Sequence, residues 1–554
     1  MCSFVVHPEL RRRGLESALE RLGRTPSVRR ALLLALLSGS AAPAAAAPAL
    51  LRGPYLQNAT PNAISIRWRT DVACDSRIRY GKLLHSLTST TDNTTLTTEH
   101  EVRLTGLSTN QRYYYSIGTT TAQLAGDDDS THFRTNPKRG DISPIRMWAI
   151  GDAGTGTTDQ RSVRAAFEKY AGRHDPDLWL MLGDNAYPDG ADADYTSNVF
   201  NMYRAMMRKA CLWPTRGNHD NLSSSAPDYY DHFTMPMTAE AGGLPSGTEA
   251  YYSFDFGNIH FICLDSEGSD RSVGGPMLSW LRQDVAATNQ TWILCYWHHP
   301  PYSKGSHDSD DPSNVEMFDM RQNVLPILDS TGVDLVMCGH SHDYERSFLL
   351  RRMYGTSNTL ASSMIVNGGT GWLQQGGAYL KPTLGSGPFE GAIYVVDGSS
   401  GKTGGGTLNH PVMVESFNLL GSFVIDINGR RLDGHFVNAT GAALDSFTII
   451  KGSVTETGTP GTRALALALS TENPSRNGAV MRFTLPRAGR ARLDVLDVHG
   501  RWLAKLVDEV RNAGEHQAAW NGRDRHGAAL PSGVYFAVLE SASERRAVRI
   551  VLAR

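Results

Sequence analysis

Between residues 142 and 400, short apolar runs alternate with stretches of helical character. The apolar runs include IRMWAIGD, LWLMLGD, IHFICLD, WILCYWHH and VDLVMCGH. The helical stretches include RSVRAAFEKY, YTSNVFNMYRAMMRKA, WLRQDVAAT and VLPILDSTG. Alternating strands and helices pack as layers, and open α/β sheets bind ligands where their strands end. The alternation therefore predicts a layered α/β domain with its site at one edge of a sheet.

Five segments of this region concentrate the side chains that bind metal ions. They are Gly151-Asp152-Ala153-Gly154, Gly183-Asp184-Asn185-Ala186-Tyr187, Gly217-Asn218-His219-Asp220, His298-His299-Pro300 and Gly339-His340-Ser341-His342. Four of them follow an apolar run directly, and the third follows the shorter run LWPTR. Each alone has an ordinary structural explanation, since an Asp after a strand is often a turn or N-cap residue. Their joint occurrence, each bounded by Gly or Pro, favours a metal site.

The chemistry of these side chains narrows the choice of metal. The donors are oxygen and imidazole without thiolate, which suits Fe, Zn, Mn and similar ions. One zinc ion needs three or four ligands, whereas seven candidates suffice for two ions that share one carboxylate. Two ions about 3.5–4 Å apart form the usual clamp for in-line phosphoryl displacement. Chemistry alone does not separate His298 from His299 as the ligand of the fourth segment.

The five segments, in order, resemble the blocks of the purple acid phosphatases within the wider calcineurin-like metallophosphoesterases. The blocks are D-x-G, GD-x-x-Y, GN-H-[DE], a strand that ends in His, and GH-x-H. The resemblance runs from about residue 50 to 450 and includes GHSHDYERS and DSFTI. It implies a two-metal site with ferric iron and a second, divalent Fe, Zn or Mn ion.

The resemblance also implies a role for each candidate ligand. The ferric iron ligands would be Asp152, Tyr187 and His342. The ligands of the divalent ion would be Asn218, His298 and His340, with His298 preferred because the family pattern is His-x-Pro. The bridging ligand would be Asp184. Tyr187 is diagnostic, because a phenolate on iron(III) gives the family its colour.

Two histidines are candidate catalytic residues. His219 resembles the family's substrate-facing histidine, a transition-state stabiliser or leaving-group acid. His307 falls at the spacing of another substrate histidine. Asp308, where the family often has a second His, and Asp220, where plant-like relatives often have Glu, depart from the pattern. These departures bear on the contacts to phosphate and leave the two-metal chemistry intact.

The function that the resemblance implies is an exported hydrolase of phosphate monoesters, an acid phosphatase. A metal-bound hydroxide would attack phosphorus and release inorganic phosphate. One alternative is a phosphodiesterase or nucleotide hydrolase on the same metals. An alternative of another class is a surface binding or adhesion protein whose flanking β-modules are the function.

The N-terminus has the order of a secretory signal peptide. Arg29 and Arg30 precede the apolar run 31–37, and the small-residue stretch 41–49 follows. The apolar run is too short to span a membrane. We therefore expect a secreted, periplasmic or cell-surface protein with no transmembrane segment beyond this signal.

The 554-residue chain is long enough for several domains. We predict a multidomain fold with a signal region (1–47), a fibronectin type III-like β-sandwich (48–138), a catalytic α/β/β/α-type domain (142–450), a linker (451–468) and an Ig-like β-sandwich (469–554). In the first sandwich the strand-like runs are ISIRWRT, RIRYG, EVRLTGL and YYYSIGT, separated by polar turns. The pattern NPS…F-x-L…V-x-D-x-x-GR…W-x-G-x-D…G-x-Y of the last module resembles the Ig-like C-terminal modules of exported bacterial proteins. Some of those modules are sorting or surface-anchoring signals, and the alternative is a plain accessory β-sandwich. As a sorting module it would have export machinery or a surface anchor as its partner.

Charge and cysteine content constrain the partners further. The formal net charge is -2 with a pI near 6.8, which argues against a basic nucleic-acid-binding surface. Cys263, Cys295 and Cys338 lie in apolar strand-like runs, which predicts small core residues and no disulfide framework. A phosphate ester is the expected partner of the central domain.

Overall fold

The computed structural model describes most of the chain. The described residues are 47–172, 174–222, 227–373, 377–452, 466–470, 473–476, 478–485, 489–498, 500–511, 514–541 and 544–553. The predicted signal peptide, except residue 47, and most of the predicted linker lie outside the described residues. Within the described part of the chain, no helix is long and apolar enough to cross a membrane.

The first unit is an antiparallel β-domain. Its strands are β1 (Leu50–Gln57), β2 (Ile64–Gly81), β3 (Ser89–Leu104), β4 (Arg112–Gly118), β5 (Gln123–Gly126) and β6 (His132–Arg134). The run RIRYG, predicted as a separate strand, is the second half of the long β2. The polar residues before it stay extended because β2 continues to pair with β3 through two register shifts near Cys74. The first half of β2 pairs with β1 and the second half with β4.

The central region contains two large sheets. Its strands are β7 (Ile145–Ile150), β8 (Leu178–Leu182), β9 (Cys211–Thr215), β10 (Tyr252–Phe256), β11 (Ile259–Cys263), β12 (Trp292–Tyr296), β13 (Leu335–Cys338), β14 (Tyr344–Ser347), β15 (Leu349–Leu350), β16 (Ile365–Asn367), β17 (Tyr379–Lys381), β18 (Ile393–Asp397), β19 (Met413–Phe417), β20 (Gly421–Asn428), β21 (Arg431–Asn438) and β22 (Ala443–Lys451). One seven-stranded sheet has the order β17-β22-β21-β20-β7-β8-β9, and the other has the order β10-β11-β12-β13-β18-β14-β19. Strands β7 to β9 are parallel to one another, as are β11, β12, β13 and β18.

Helices flank these sheets. They are α1 (Thr158–Ala171), α2 (Asp192–Asp194), α3 (Arg204–Met207), α4 (Pro227–His232), α5 (Pro276–Ala287), α6 (Val315–Asp319) and α7 (Leu325–Thr331). The stretch YTSNVFNMYRAMMRKA, predicted as one helix, is a π-turn at Tyr195–Phe200 followed by the short α3. The helix is interrupted because Asn198 turns its amide to the carbonyl oxygens of Gly154 and Tyr187 beside the site.

Alternation along β12 shows how the layers pack. Trp292, Leu294 and Tyr296 belong to the hydrophobic cluster that the two sheets share. Ile293 and Cys295 belong to a second cluster with residues of α5 and α7. Successive side chains of a strand point to opposite faces, so this sheet is covered by the other sheet on one face and by helices on the other. The three strand cysteines are buried and unpaired, as predicted.

Buried ion pairs join the two sheets. The Arg346 guanidinium on β14 donates to both carboxylate oxygens of Asp445 on β22, and neither side chain is exposed. Asp334, just before β13, pairs with Lys381 at 2.6 Å and with Lys451 at 2.8 Å. A buried pair is costly to break, since removal of one partner leaves an uncompensated charge. Both sets of pairs therefore favour the observed packing of the two sheets.

Polar contacts also hold the N-terminal β-domain against the central region. Arg52, on β1, is buried and lies 2.7 Å from Asp192 and 2.9 Å from His232. Tyr55 donates to the carbonyl oxygen of His232, and its ring packs against Phe200. One hydrophobic cluster contains core residues of both units.

The C-terminal region contains two further sheets. Its strands are β23 (Ala466–Leu469), β24 (Ala479–Leu485), β25 (Gly489–Asp497), β26 (Trp502–Arg511), β27 (Gly514–Trp520), β28 (Gly533–Ser541) and β29 (Glu544–Leu552). They pair in the orders β23-β24-β27 and β26-β25-β28-β29. Residues of both sheets, including Phe483 and Leu493, share a separate hydrophobic cluster.

We expect Asp445→Ala to lower the free energy of unfolding by about 3–5 kcal/mol, because it leaves the Arg346 charge buried and unpaired. The matched control is Asp426→Ala, which removes an equally bidentate but half-exposed pair with Arg146. We expect the control substitution to lower the free energy of unfolding by about 1 kcal/mol or less. Denaturant unfolding followed by tryptophan fluorescence compares the two. Equal losses of unfolding free energy in the two variants would contradict the conclusion that the buried pair holds the two sheets together.

Candidate metal centre

The candidate ligands lie where parallel strands end. Asp152 comes two residues after β7, Asp184 two after β8 and Asn218 three after β9. In the second sheet, His298 comes two residues after β12 and His340 two after β13. Because the carboxyl ends of parallel strands share one edge, five segments distant in sequence meet at one place.

Three of these residues have left-handed backbone conformations. The φ angles are 53° at Asp152, 50° at Asp184 and 67° at His340. A side chain in this region costs free energy, and such residues cluster at functional sites. Here the conformation is held by hydrogen bonds: Asp152 N–H donates to the carbonyl of Gly183, and His340 N–H donates to Asp152 Oδ2 at 2.7 Å.

The glycines of the segments allow close approach. A Cβ at Gly183 would lie 2.4 Å from Nδ1 of His298, and one at Gly217 would lie 2.2 Å from the backbone nitrogen of Asp184. Both distances are shorter than real Cβ contacts, so any side chain would push the ligand segments apart. Packing therefore requires both glycines, and Gly183 also has a φ of 90°, which favours glycine.

One group of ligand atoms gathers around Asp152. The Tyr187 hydroxyl lies 3.0 Å from Asp152 Oδ1 and 2.7 Å from Asp184 Oδ2. His342 Nε2 lies 3.4 Å from Asp152 Oδ1. The three residues predicted for one ion are thus together, with Asp184 beside them.

A second group gathers around Asn218. Its Oδ1 lies 3.1 Å from Nε2 of His298 and 3.1 Å from Nδ1 of His340. His298 Nε2 also lies 3.4 Å from Asp184 Oδ1. Asp184 therefore has one carboxylate oxygen next to each group.

These separations fit bound metal ions. Two ligand atoms that each lie about 2.1 Å from one ion are about 3 Å apart at tetrahedral or octahedral angles. The six atom pairs given above for the two groups are 2.7 to 3.4 Å apart. Ligand atoms of Asp152, Asp184 and His298 all lie within 4.8 Å of one another. The donors also match ions that prefer oxygen and imidazole.

The surroundings of His298 and His299 distinguish the two. His298 points to Asn218 and Asp184, and its Nδ1 is fixed on the carbonyl oxygen of Leu182 at 2.8 Å. His299 Nδ1 instead lies 2.9 Å from Ser266 Oγ. Its ring is 4.3 Å from that of His340, and ligand nitrogens of His298, His299 and His340 lie within 4.8 Å of one another. The contacts with Asn218 and Asp184 favour His298 as the ligand of the second group. Fixing of the second ring nitrogen is typical of metal-binding histidines.

The protonation of the site reflects its buried carboxylates. Burial, together with Asp152 and Asp184, raises the pKa of Tyr187 well above its ordinary value. Burial opposes protonation of His298, but the Asp184 and Asp152 carboxylates outweigh it and raise the pKa.

The two predicted catalytic histidines lie at the partly exposed rim of the candidate metal centre, next to the two ligand groups. The His219 ring is 4.4 Å from the Tyr187 ring, and its Nδ1 is 2.6 Å from the carbonyl oxygen of Pro188. The Nδ1–H therefore donates to this carbonyl, and Nε2 lies 4.0 Å from Oδ2 of Asp184. The His307 ring is 4.0 Å from the His340 ring. Both side chains are half-buried and border the ligand groups.

Asp220 has a role that the sequence did not predict. Its carboxylate is fully buried and accepts from the backbone N–H groups of Asn185 and Gly217 and from the Tyr195 hydroxyl. Burial, with the nearby Asp184 charge, raises its pKa to about 6. Asp220 thus ties two ligand segments together, away from the rim. Asp308, the other departure from the family pattern, pairs with Lys304.

Comparisons with known proteins find relatives of both the central region and the N-terminal β-domain. Residues 145–344 match the family model of the calcineurin-like phosphoesterases, and residues 54–135 match that of the purple acid phosphatase N-terminal domain. Purple acid phosphatase 15 of Arabidopsis thaliana is 30% identical over 283 residues, which are 45% of this chain and 49% of the relative. Purple acid phosphatase 23 of the same plant is 24% identical over 282 residues, which are 46% of this chain and 58% of the relative. The matches thus span about half the length of these relatives.

A solved structure shows the same fold. Purple acid phosphatase PPD1 from seeds of yellow lupin (Lupinus luteus) superimposes with a TM-score of 0.55 at 16% identity, over 73% of this chain and 74% of that one. The chain therefore contains a calcineurin-like metallophosphoesterase domain preceded by a purple acid phosphatase N-terminal domain.

We expect Asp220→Asn to weaken metal binding by about 10- to 100-fold, because an amide nitrogen would face N–H groups that need an acceptor. Tyr195→Phe is the milder control, since it removes one hydrogen bond to the same carboxylate and keeps the ring. Competition with a chelator of known affinity measures both variants. Wild-type metal affinity in Asp220→Asn would show that this carboxylate does not hold the ligand segments.

Proposed function

We propose that the protein is a two-metal hydrolase of phosphate monoesters that releases inorganic phosphate. The observation that carries this proposal is the convergence of two ligand groups with the Asp184 carboxylate between them. One ion would be held by Asp152, Tyr187 and His342, and the other by Asn218, His298 and His340. Asp184 would bridge the two.

The ligand chemistry supports a mixed-metal pair. A phenol beside carboxylates suits ferric iron, and the Asn and His side chains suit a divalent Fe, Zn or Mn ion. When bound, two such ions neutralise phosphate charge and lower the pKa of water. The protein side chains would orient the ester and donate a proton to the leaving group.

His219 is the residue best placed for that proton. Its Nδ1–H is fixed on Pro188, so Nε2 is available on the side of Asp184. A protonated Nε2 can donate to the developing charge on the leaving oxygen and then transfer its proton. His307, across the site beside His340 and His342, would donate a second hydrogen bond to phosphate.

The flanking regions support the proposed architecture and export. We propose the divisions 1–47, 48–138, 142–450, 451–468 and 469–554 that the sequence predicts. The fibronectin type III-like character of the first β-domain and the sorting or anchoring role of the last one belong to the same proposal. The shared core of the two C-terminal sheets supports a β-sandwich there. The arginine pair and apolar run near residue 30 support a secreted, periplasmic or surface location.

Rates on p-nitrophenyl phosphate and bis-p-nitrophenyl phosphate test the function. We expect the monoester to be the better substrate by kcat/KM. His219→Ala should lower kcat on the monoester by about 10²- to 10³-fold with metal content unchanged, because it removes a hydrogen-bond donor to the charge that develops in the transition state. His85→Ala, on an exposed loop of the N-terminal β-domain, is the control.

Three outcomes would contradict parts of this proposal. A faster diester reaction would assign a phosphodiesterase on the same metals. No hydrolysis by a metal-loaded protein would favour the adhesion alternative. Full activity of His219→Ala would remove that residue from the mechanism.

A further inference from the structure

A loop after β18 forms one wall of the candidate metal centre. It spans residues 398–406 and contains the sequence GSSGKTGGG. Ser400 N–H donates to the carbonyl of Gly151, and Gly404 N–H donates to that of His342. The loop is therefore fastened to the first and the last of the ligand segments. Strand periodicity gave no indication of this contact, because the loop is distant in sequence from both segments.

Glycines bring this loop close to Asp152. A Cβ at Gly401 would lie 2.6 Å from the carbonyl oxygens of Asp152 and Ala153, and one at Gly398 would lie 2.1 Å from that of Ser341. The Gly401 carbonyl also accepts from the Thr155 hydroxyl at 3.2 Å. The backbone on the N-terminal side of Lys402 is thus fixed next to the ligands.

Lys402 reaches the rim from this loop. Its Nζ lies 3.8 Å from the centre of the Tyr187 ring, close enough for a cation–π contact. The same ring contacts His219, and its hydroxyl lies between the carboxylates of Asp152 and Asp184. The ammonium group and the candidate substrate-facing histidine therefore contact the same tyrosine ring.

The charge of Lys402 is not neutralised by a close partner. Within the described ranges, no carboxylate oxygen forms an ion pair with it, and its ammonium group contacts the Tyr187 ring. Lys304, on the loop that carries His307, differs in this respect, because it pairs with both Asp308 and Asp310 at 2.9 Å. Lys402 is half-exposed and can bind an anion at the rim.

We propose that Lys402 binds the phosphate group of the substrate and makes the site prefer dianionic monoesters over monoanionic diesters. This inference rests on the proposed function. An ammonium group is a compact point charge, so its attraction grows with the charge of the bound phosphate. A diester carries one negative charge fewer, so its attraction to the Lys402 ammonium group is weaker.

The test compares Lys402→Gln with Lys402→Arg and with Lys138→Gln, an exposed lysine of the segment before β7. For Lys402→Gln we expect kcat/KM on p-nitrophenyl phosphate to fall about 10- to 100-fold, the range of a lost charge-assisted hydrogen bond. The value for bis-p-nitrophenyl phosphate should fall less than about threefold. Lys402→Arg should keep most of the preference, and Lys138→Gln should match wild type.

Calorimetric titration of the metal-loaded protein with inorganic phosphate gives a second readout. Lys402→Gln should bind phosphate about 10-fold or more weakly with unchanged metal content. Equal losses on both esters, unchanged phosphate affinity or loss of metal would each overturn the proposal. If wild type hydrolyses neither ester, the proposed function fails separately, and the phosphate titration still tests Lys402.

Discussion

The Asp184 carboxylate joins the two halves of the candidate centre. Its Oδ1 accepts from the backbone N–H of His219 at 2.8 Å and faces His298, whereas its Oδ2 faces the Tyr187 hydroxyl. Three carboxylates, those of Asp152, Asp184 and Asp220, are buried within this small volume. Buried charges of one sign are unfavourable unless cations compensate them. Bound metal ions would supply that compensation. The three buried carboxylates therefore favour a metal centre at this place.

The rest of the fold serves to keep these groups in position. The left-handed conformations of Asp152 and Asp184 cost free energy, and the network around them offsets it. Ion pairs such as Arg346 with Asp445 lock the sheets so that strand ends from both meet. The N-terminal β-domain is anchored through Arg52 to the segment between β8 and β9, near the GD-x-x-Y turn.

Much of this could be predicted from the sequence, because strand ends and ligand types are local signals. The positions of Asp152, Asp184 and His340 follow from apolar runs that stop at a Gly. The extent of β2 could not be predicted, since polar residues stay extended there only through pairing with β3. The contacts of Asp220 and Lys402 could not be predicted from the sequence either, because they join loops that are far apart in the chain.

The most direct test of the central claim is metal analysis and a visible absorption spectrum of one purified sample. We expect two ions per chain, one of them iron, and a broad visible band that Tyr187→Phe abolishes while metal remains bound. A colourless protein with two divalent ions would contradict the ferric assignment of Tyr187. A protein that binds no metal, even after refolding with iron and zinc, would contradict the two-metal centre itself.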